Sequence, residues 1–190
     1  MTEKRSRNAT ATRTAILASA RQAFVRSGYD GAGLREIAEG AGVTAMMVGR
    51  YFGSKQQLFA EVLEAANAEP VIATPANLGA PDRSRRIAEA LVAVTTPGAT
   101  ALDGFLILMR SASSDEAAGI AKAVIEAMHQ RNVSAAVAGD MAAERAAILL
   151  ALVAGLQTMR QVIGLDALAR ADPQKLAGLL EPIVTLLIEA

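Results

Sequence analysis

The sequence has no cysteine and a single histidine, His129. The lack of cysteine excludes a disulfide framework and cysteine-based zinc sites, and it is compatible with a reducing cytoplasm. With one histidine, the usual nucleophile-base pairs and transition-metal clusters are almost excluded as well. The sequence also has no P-loop, G-x-S-x-G or H-E-x-x-H pattern. It therefore predicts a protein that is not an enzyme and that holds no metal and no cofactor.

Long hydrophobic runs are also missing. The longest, Ala146 to Leu156, is too short to span a bilayer, and the polar, basic N-terminus has no apolar segment of a secretory signal. We therefore expect a cytoplasmic protein with no membrane partner. A chain of 190 residues, 52% apolar and 20% charged, suits one compact core with a small appended module.

The net charge is zero, but the two ends differ in sign. Residues 1 to 58 hold nine Lys or Arg and four Asp or Glu, whereas residues 59 to 190 hold ten and fifteen. A basic module on an acidic body is typical of a protein that binds a polyanion, although imbalances of this size also arise by chance.

Two short helices are predicted around a glycine within the basic part. A tight turn between helices needs a residue that takes positive φ, and glycine does so without steric cost. Small and apolar residues repeat at helical spacing on either side. The predicted scaffold is Ala38, Gly42, Val43, Val48 and Phe52. This pattern indicates a DNA-binding helix-turn-helix.

A longer run of anchors surrounds this motif. They are Arg13, Ala20, Phe24, Gly28, Tyr29, Ile37-Ala38, Ala41-Gly42-Val43, Tyr51-Phe52, Ser54-Lys55 and Leu58. With these residues the segment resembles the N-terminal domain of TetR-family transcriptional regulators. Residues 143 to 187, with the phrase GLQTMRQVIGLDALARADPQKLAGLLEPIV, are similar to the ligand-binding, dimerising domain of one branch of that family.

The rest of the sequence is helical in pattern, with neither strands nor repeats. We predict an all-α fold of about nine helices: an N-terminal three-helix DNA-binding domain and a C-terminal helical domain for ligand binding and dimerisation. The predicted segments are a flexible basic arm (1–9), the helix-turn-helix domain (10–53), a linking helix (54–68) and the C-terminal domain (82–190). The arm either reaches DNA or is merely solvated.

The second helix of the motif is predicted to enter the major groove. The resemblance implies phosphate contacts from Thr44, Tyr51 and Lys55, and base contacts from Ala45, Met47 and Arg50. A guanidinium can bind guanine in a bidentate manner, so Arg50 is the best candidate for direct readout. The full set of predicted DNA-binding residues is Arg35, Thr44, Ala45, Met46, Met47, Gly49, Arg50, Tyr51 and Lys55.

Two glycines depart from the family pattern. Gly49 stands where an aromatic residue is usual, and Gly33 stands where a hydroxyl residue commonly caps the first helix of the motif. These departures leave an alternative open: a helical dimer that binds a small molecule or a protein, with a weakened DNA-binding module. An unrecognised helical enzyme, dependent on His129 or Arg160, is a third hypothesis.

The C-terminal half offers candidates for an effector pocket and a dimer interface. Adaptable, aromatic and polar side chains suggest a pocket for a small molecule of unknown identity: Phe105, Met109, Arg110, Met128, His129, Gln157 and Arg160. The two arginines have an alternative role in ion pairs, and His129 in simple exposure. Two apolar helices predict a homodimer interface through Ala147, Ala151, Gly155, Leu176, Leu180, Ile183 and Leu187, unless they fill the core of one subunit.

Taken together, the sequence predicts a sequence-specific DNA-binding transcriptional regulator. We expect a repressor that binds double-stranded DNA at a near-palindromic operator and is released by a small-molecule effector.

Overall fold

The computed structural model of the chain describes residues 2–68, 70–98, 102–132, 137 and 139–189. Within these ranges it contains eleven α-helices, one π-helical turn (Thr158–Val162) and no strand, so the predicted all-α fold class is confirmed. The helices are α1 (Thr2–Gly31), α2 (Leu34–Gly40), α3 (Ala45–Phe52), α4 (Lys55–Ala66), α5 (Pro75–Leu78), α6 (Arg83–Val94), α7 (Asp103–Ser111), α8 (Asp115–Asn132), α9 (Ala142–Gln157), α10 (Asp166–Ala169) and α11 (Pro173–Glu189). The two beyond the expected nine are α5 and α10, which have four residues each.

The chain divides into two compact units. The N-terminal unit comprises residues 1–68 and 102–125, and the C-terminal unit comprises residues 69–101 and 126–190. The sequence prediction assigned everything from residue 82 onward to the C-terminal domain. In the structure α7 and the first turns of α8 instead pack with the helices of the N-terminal unit.

The start of the chain also differs from the prediction. Residues 1–9 were expected to form a flexible arm, but α1 is helical from Thr2. No proline or glycine precedes Gly28, so nothing in this stretch interrupts a helix. The first continuous helical run ends at Gly28, as expected. Gly28 forms a kink with φ 66° and ψ −174°, and one further turn reaches Gly31.

Apolar side chains from α1, α2, α3 and α4 form the core of the N-terminal unit. Three aromatic rings lie at its centre: Phe24 meets Phe59 edge to face at 5.0 Å, and Tyr29 meets Phe59 at 4.9 Å. Such aromatic pairs favour edge-to-face contact because the positive ring edge faces the negative ring face. These contacts fix α1 against α4.

The C-terminal unit is built around α6, α9 and α11. Ile87 and Leu91 of α6 are fully buried in one cluster with Leu149 of α9 and Val184 of α11. Three of the predicted interface positions need correction, since Leu176 and Leu180 belong to this core at 6% exposure each and Leu187 at 5%. Their side chains fill a single subunit because α11 presents them to α6 and α9.

The helix α9 continues through the π turn as one apolar segment. Residues 142–162 are long and apolar enough to cross a membrane by length and composition, although a single segment of this kind is weak evidence of a span. The uninterrupted apolar run ends at the polar Gln157, and the helical backbone passes through this residue into the π turn. Only 22% of the most apolar 18 residues of this segment is buried inside the structure, so α9 has a large exposed apolar surface.

Candidate nucleic-acid interface

The turn between α2 and α3 fixes the angle between the two helices of the motif. Gly42 adopts φ 67°, and its N–H donates to the carbonyl of Glu39 at 3.0 Å. The N–H of Val43 donates to the carbonyl of Ala38 at 2.9 Å. These two bonds form a Schellman motif, which satisfies the last carbonyls of α2 and requires a residue in the left-handed conformation.

The helix α3 has one buried face and one exposed face. Val48 and Phe52 lie one turn apart and are 1% and 4% exposed, so they hold α3 against the core of the unit. Thr44 caps the helix: its side-chain oxygen accepts the N–H of Met47 at 3.4 Å. Ala38, the predicted scaffold residue of α2, is 2% exposed.

The outward face of α3 carries most of the predicted base-reading positions. Its exposed residues are Ala45, Met46, Gly49 and Arg50, while Met47 is half-buried. Arg50 makes no ion pair or side-chain hydrogen bond with any residue that the structure describes. An exposed guanidinium with five N–H donors is therefore free to bind an external acceptor.

The predicted phosphate-contacting residues differ in their surroundings. Thr44 and Arg35 are exposed, and Tyr51 is half-buried beside the groove-facing side of α3. Lys55 is also half-buried, and its Nζ lies 4.7 Å from the ring centroid of Tyr29. A cation over an aromatic face is held by the ring quadrupole, so Lys55 already has a partner within the unit.

A carboxylate accepts the backbone N–H of the residue at the start of α2, while the side-chain cap itself is missing. Gly33 has no side chain, but its N–H donates to Glu36 at 3.5 Å, and Arg26 pairs with the same carboxylate. The hydrogen bond from Arg26, followed by that from Gly33, lowers the pKa of Glu36 below its usual range. Sequence analysis missed Glu36, although a glutamate three residues after the cap position is the signal of this arrangement.

A group of hydrogen bonds connects α1 with α7 and α8, and sequence analysis missed two of its members, Ser111 and Glu116. The N–H of Tyr29 donates to Ser111 Oγ at 2.9 Å, and the guanidinium of Arg110 donates to the carbonyl of Val25. The Tyr29 hydroxyl donates to Glu116 at 2.9 Å. Burial and then the Glu116 hydrogen bond raise the pKa of Tyr29 to about 12.

Glu116 is shared between two donors at the start of α8. Gln56 Nε2 of α4 donates to it at 2.7 Å, which together with Tyr29 lowers the pKa of its carboxyl. The kinked end of α1, the first turn of α4 and the start of α8 are thus joined by hydrogen bonds. These partners are 60 and 87 residues apart in sequence, so no local pattern predicts them.

The predicted effector-pocket residues fall into both units. Phe105, Met109 and Arg110 belong to the N-terminal unit, and Met128, His129, Gln157 and Arg160 belong to the C-terminal unit. Arg110 bonds to α1, and Met109 is 53% exposed. The side chain of His129 lies outside the described residues.

Arg160 has a structural role in the C-terminal unit. It is 2% exposed, and its Nη1 donates to Thr95 Oγ1 at 2.6 Å and to the carbonyl of Val92 at 2.7 Å. Its Nε donates to the carbonyl of Leu168 at 3.1 Å. Burial lowers the pKa of its guanidinium. The sequence offered an ion pair as the alternative role of Arg160. Its guanidinium instead donates to three neutral acceptors among the described residues. Two of these lie at the C-terminal end of α6, where a cation is favourable.

The geometry of α2 and α3 defines a helix-turn-helix protein with an outward-facing recognition helix. Two family models match the chain: residues 16–62 match "Bacterial regulatory proteins, tetR family", and residues 82–188 match "Tetracyclin repressor-like, C-terminal domain". The chain belongs to the TetR family of transcriptional regulators. It is accordingly a DNA-binding regulator rather than an enzyme.

Several solved structures are similar to the chain over nearly its whole length. A TetR-family regulator from Streptomyces coelicolor is 26% identical, with a TM-score of 0.62, and the match covers 95% of this chain and 96% of that one. NalD from Pseudomonas aeruginosa, the secondary repressor of the MexAB-OprM multidrug efflux pump, is also 26% identical, with a TM-score of 0.62 and coverage of 93% and 95%. A protein from Rhodococcus sp. has a TM-score of 0.68 at 15% identity, covers 94% and 99%, and supports the fold alone. No curated protein matches the chain.

Proposed function

We propose that this protein is a homodimeric repressor that binds a near-palindromic operator and leaves it when a small-molecule effector binds. The observation that carries the DNA-binding role is the division of α3: Val48 and Phe52 are buried, whereas Arg50 is exposed and has no partner among the described residues. A side chain with that placement reaches base edges when the second helix of the motif lies in the major groove. The protein acts in the cytoplasm, where it has access to DNA.

Binding to an operator is tested by footprinting the DNA beside the protein's own gene. We expect a footprint made of two related half-sites, about 34 to 36 Å or a multiple apart, because a two-fold dimer presents two recognition helices. Binding should weaken steeply as salt rises, since phosphate contacts release counterions. A footprint with no protected region at any salt concentration would contradict the proposal.

The variant Arg50→Ala tests the proposed base contact of Arg50 directly. Loss of a bidentate contact with guanine is worth roughly 1 to 3 kcal/mol per site, so specific affinity should fall at least about tenfold. Arg170→Ala is the matched control, because Arg170 is 81% exposed and lies in the C-terminal unit. Equal affinity of the two variants for the operator would argue against a base contact from Arg50.

Exposed apolar surface on α9 and α11 supports the homodimer. In α11 Leu179, Ile183 and Leu186 are 72%, 45% and 67% exposed, and their spacing places them on one stripe. Ile148 of α9 is 54% exposed, and the small residues Ala147, Ala151 and Gly155 are exposed along the same helix. Apolar stripes of this kind mark interfaces, and pairing both helices with their copies gives a four-helix bundle.

The interface is tested by light scattering on two variants. The double variant Leu179→Asp/Ile183→Asp should give a folded monomer with much weaker operator binding. Leu180→Asp should unfold the C-terminal unit, since Leu180 is 6% exposed and lies in its core. A double variant that remains dimeric, or a wild-type monomer, would contradict this interface.

Effector release is supported by the resemblance of residues 82–188 to a tetracycline repressor-like C-terminal domain, and repression is supported by the similarity to the repressor NalD. A compound that raises the melting temperature of the free protein should also release it from the operator, because linkage makes ligand and DNA oppose each other equally. A compound that stabilises the protein strongly yet leaves operator affinity unchanged would not be the effector.

A weakened DNA-binding module is the second candidate function, motivated by Gly33 and Gly49. Against it, Glu36 accepts the N–H of Gly33 at the start of α2, and α3 is helical from Ala45 to Phe52 with Gly49 inside it. Gly49→Tyr distinguishes the two functions. Specific DNA binding that appears only in this variant would favour the weakened module, and binding by the wild type would exclude it.

A further inference from the structure

The exposed face of the recognition helix offers little hydrogen-bonding capacity. Of its four exposed residues, Ala45, Met46, Gly49 and Arg50, only Arg50 has a side chain that donates a hydrogen bond. A regulator whose specificity came mainly from hydrogen bonds would present several amide, hydroxyl or guanidinium groups on this face. Here apolar contact must contribute a large part of the readout.

Met46 is the dominant apolar group on this face. Its side chain is 84% exposed, which exceeds the exposure of every other large apolar side chain among the described residues. It is the second residue of α3, directly after Ala45 and the Thr44 cap. The N-terminal residues of a recognition helix are those that contact base edges. Exposed methionine at this position therefore faces the partner rather than the interior of the unit.

The spacing of Met46 and Arg50 allows both to contact one half-site. They lie four residues apart on the same face of α3, which separates their backbones by about 6 Å along the helix axis. Successive bases on one strand are about 3.4 Å apart, so the two side chains reach bases that are within about one to three positions of each other.

Only one base carries an apolar group in the major groove. Thymine has a C5-methyl group there, whereas the other bases present donors and acceptors that a thioether cannot satisfy. Methionine is flexible and polarisable, so its side chain can adjust to pack against this methyl group. A cytosine at the same position would leave its amino group desolvated beside an apolar chain.

We propose that Met46 selects thymine in each half-site by packing against its C5-methyl group, next to a guanine bound by Arg50. This inference rests on the proposed function and names the operator chemistry that the recognition helix requires. It assigns specificity to a contact in which no hydrogen bond is made.

Deoxyuridine substitution tests the methyl group alone. The full-length protein is first used to select its tightest duplex from randomised DNA, and each thymine pair related by the two-fold axis is then replaced by deoxyuridine. Burial of one methyl group is worth about fourfold in affinity, so loss at both half-sites should weaken binding about fifteenfold. One symmetric pair of thymines should show this effect in a fluorescence anisotropy titration.

The variants assign the effect to Met46. Met46→Ala should bind the thymine and deoxyuridine duplexes equally, and Met46→Leu should restore most of the difference. Met141→Ala is the matched control, since Met141 is 66% exposed and lies in the C-terminal unit. It should keep the full difference. Because Met46 packs against so little of the protein, circular dichroism should find all variants folded.

The possible failures are distinguishable. If the selected duplex binds specifically but every deoxyuridine pair is neutral, or if the loss persists in Met46→Ala, the thymine contact is wrong while the DNA-binding function stands. If no duplex is selected over random DNA, the proposed function itself fails, and the thymine contact fails with it.

Discussion

Gly28 provides the sharpest test of how the N-terminal unit is assembled. Its φ of 66° and ψ of −174° lie in a region that is essentially restricted to glycine. A Cβ added there would lie 2.4 Å from the carbonyl oxygen of Arg110 and 2.9 Å from its carbonyl carbon. The neighbour is backbone and cannot rotate away, so Gly28→Ala must push α1 and α7 apart.

Two contributions determine how much Gly28→Ala lowers the free energy of unfolding. The backbone conformation alone costs a non-glycine residue about 1 to 3 kcal/mol. Displacement of the carbonyl adds to this and disturbs the hydrogen bond from Tyr29 to Ser111, which is worth about 1 kcal/mol. We expect Gly28→Ala to lower the free energy of unfolding by about 3 to 5 kcal/mol, a large part of the total for a typical protein.

Gly42→Ala is the matched control. Gly42 has a similar φ of 67°, but an added Cβ there meets no atom within 4 Å. It should therefore cost only the backbone strain, about 1 to 2 kcal/mol. The loss of unfolded-state entropy on changing glycine to alanine is common to both variants and cancels in the difference. Urea unfolding measures both, and equal losses for Gly28→Ala and Gly42→Ala would refute the close approach of α7 to α1.

Three further predictions concern single side chains. Gly49→Ala should stabilise the protein by up to about 1 kcal/mol in thermal unfolding, because Gly49 is exposed within α3 and open to a methyl group; destabilisation would contradict its position. The stability difference between the wild type and Tyr29→Phe should be constant from neutral pH to pH 10 and decline as pH rises from 10 to about 12, because the folded-state pKa of Tyr29 is raised; a difference that does not change over that range would argue against the bond to Glu116. Arg160→Met should lower the free energy of unfolding by about 1 to 3 kcal/mol, since the carbonyls of Val92 in α6 and Leu168 in α10 lose their donor; an unchanged midpoint in urea would count against that role.

The helix-turn-helix could be predicted from sequence because its constraints are local. Gly42 and Val48 lie within ten residues of Ala38, and helical spacing is enough to place one at the turn and two in the core. The bonds of Tyr29 to Ser111 and Glu116 could not be predicted. Their partners lie 82 and 87 residues away, and no spacing rule connects them.

The helix α11 illustrates a different limit. Its apolar residues recur so often that they cover more than one face, and the sequence does not reveal which face meets α6. Leu176 and Leu180 were assigned to the dimer interface, but they are buried in the subunit, while Leu179 and Leu186 are exposed. Periodicity identified an amphipathic helix, and only the packing of α6 and α9 decided its orientation.

Arg160 shows how the environment decides the role of a charged residue. The sequence offers a guanidinium in an apolar helix, for which a ligand contact and an ion pair were equally natural predictions. The π turn directs it instead at the end of α6, where Val92 and Thr95 accept its hydrogen bonds. A rare backbone conformation of this kind has no recognisable sequence signal.

Sequence-specific DNA binding through α3 is measured most directly by the ratio of two affinities. The affinity of the protein for its selected duplex is compared with its affinity for a scrambled duplex of the same length and composition at physiological salt. We predict a ratio of at least about a thousand, which falls at least tenfold in Arg50→Ala. A ratio near one would mean that the exposed face of α3 does not read DNA sequence.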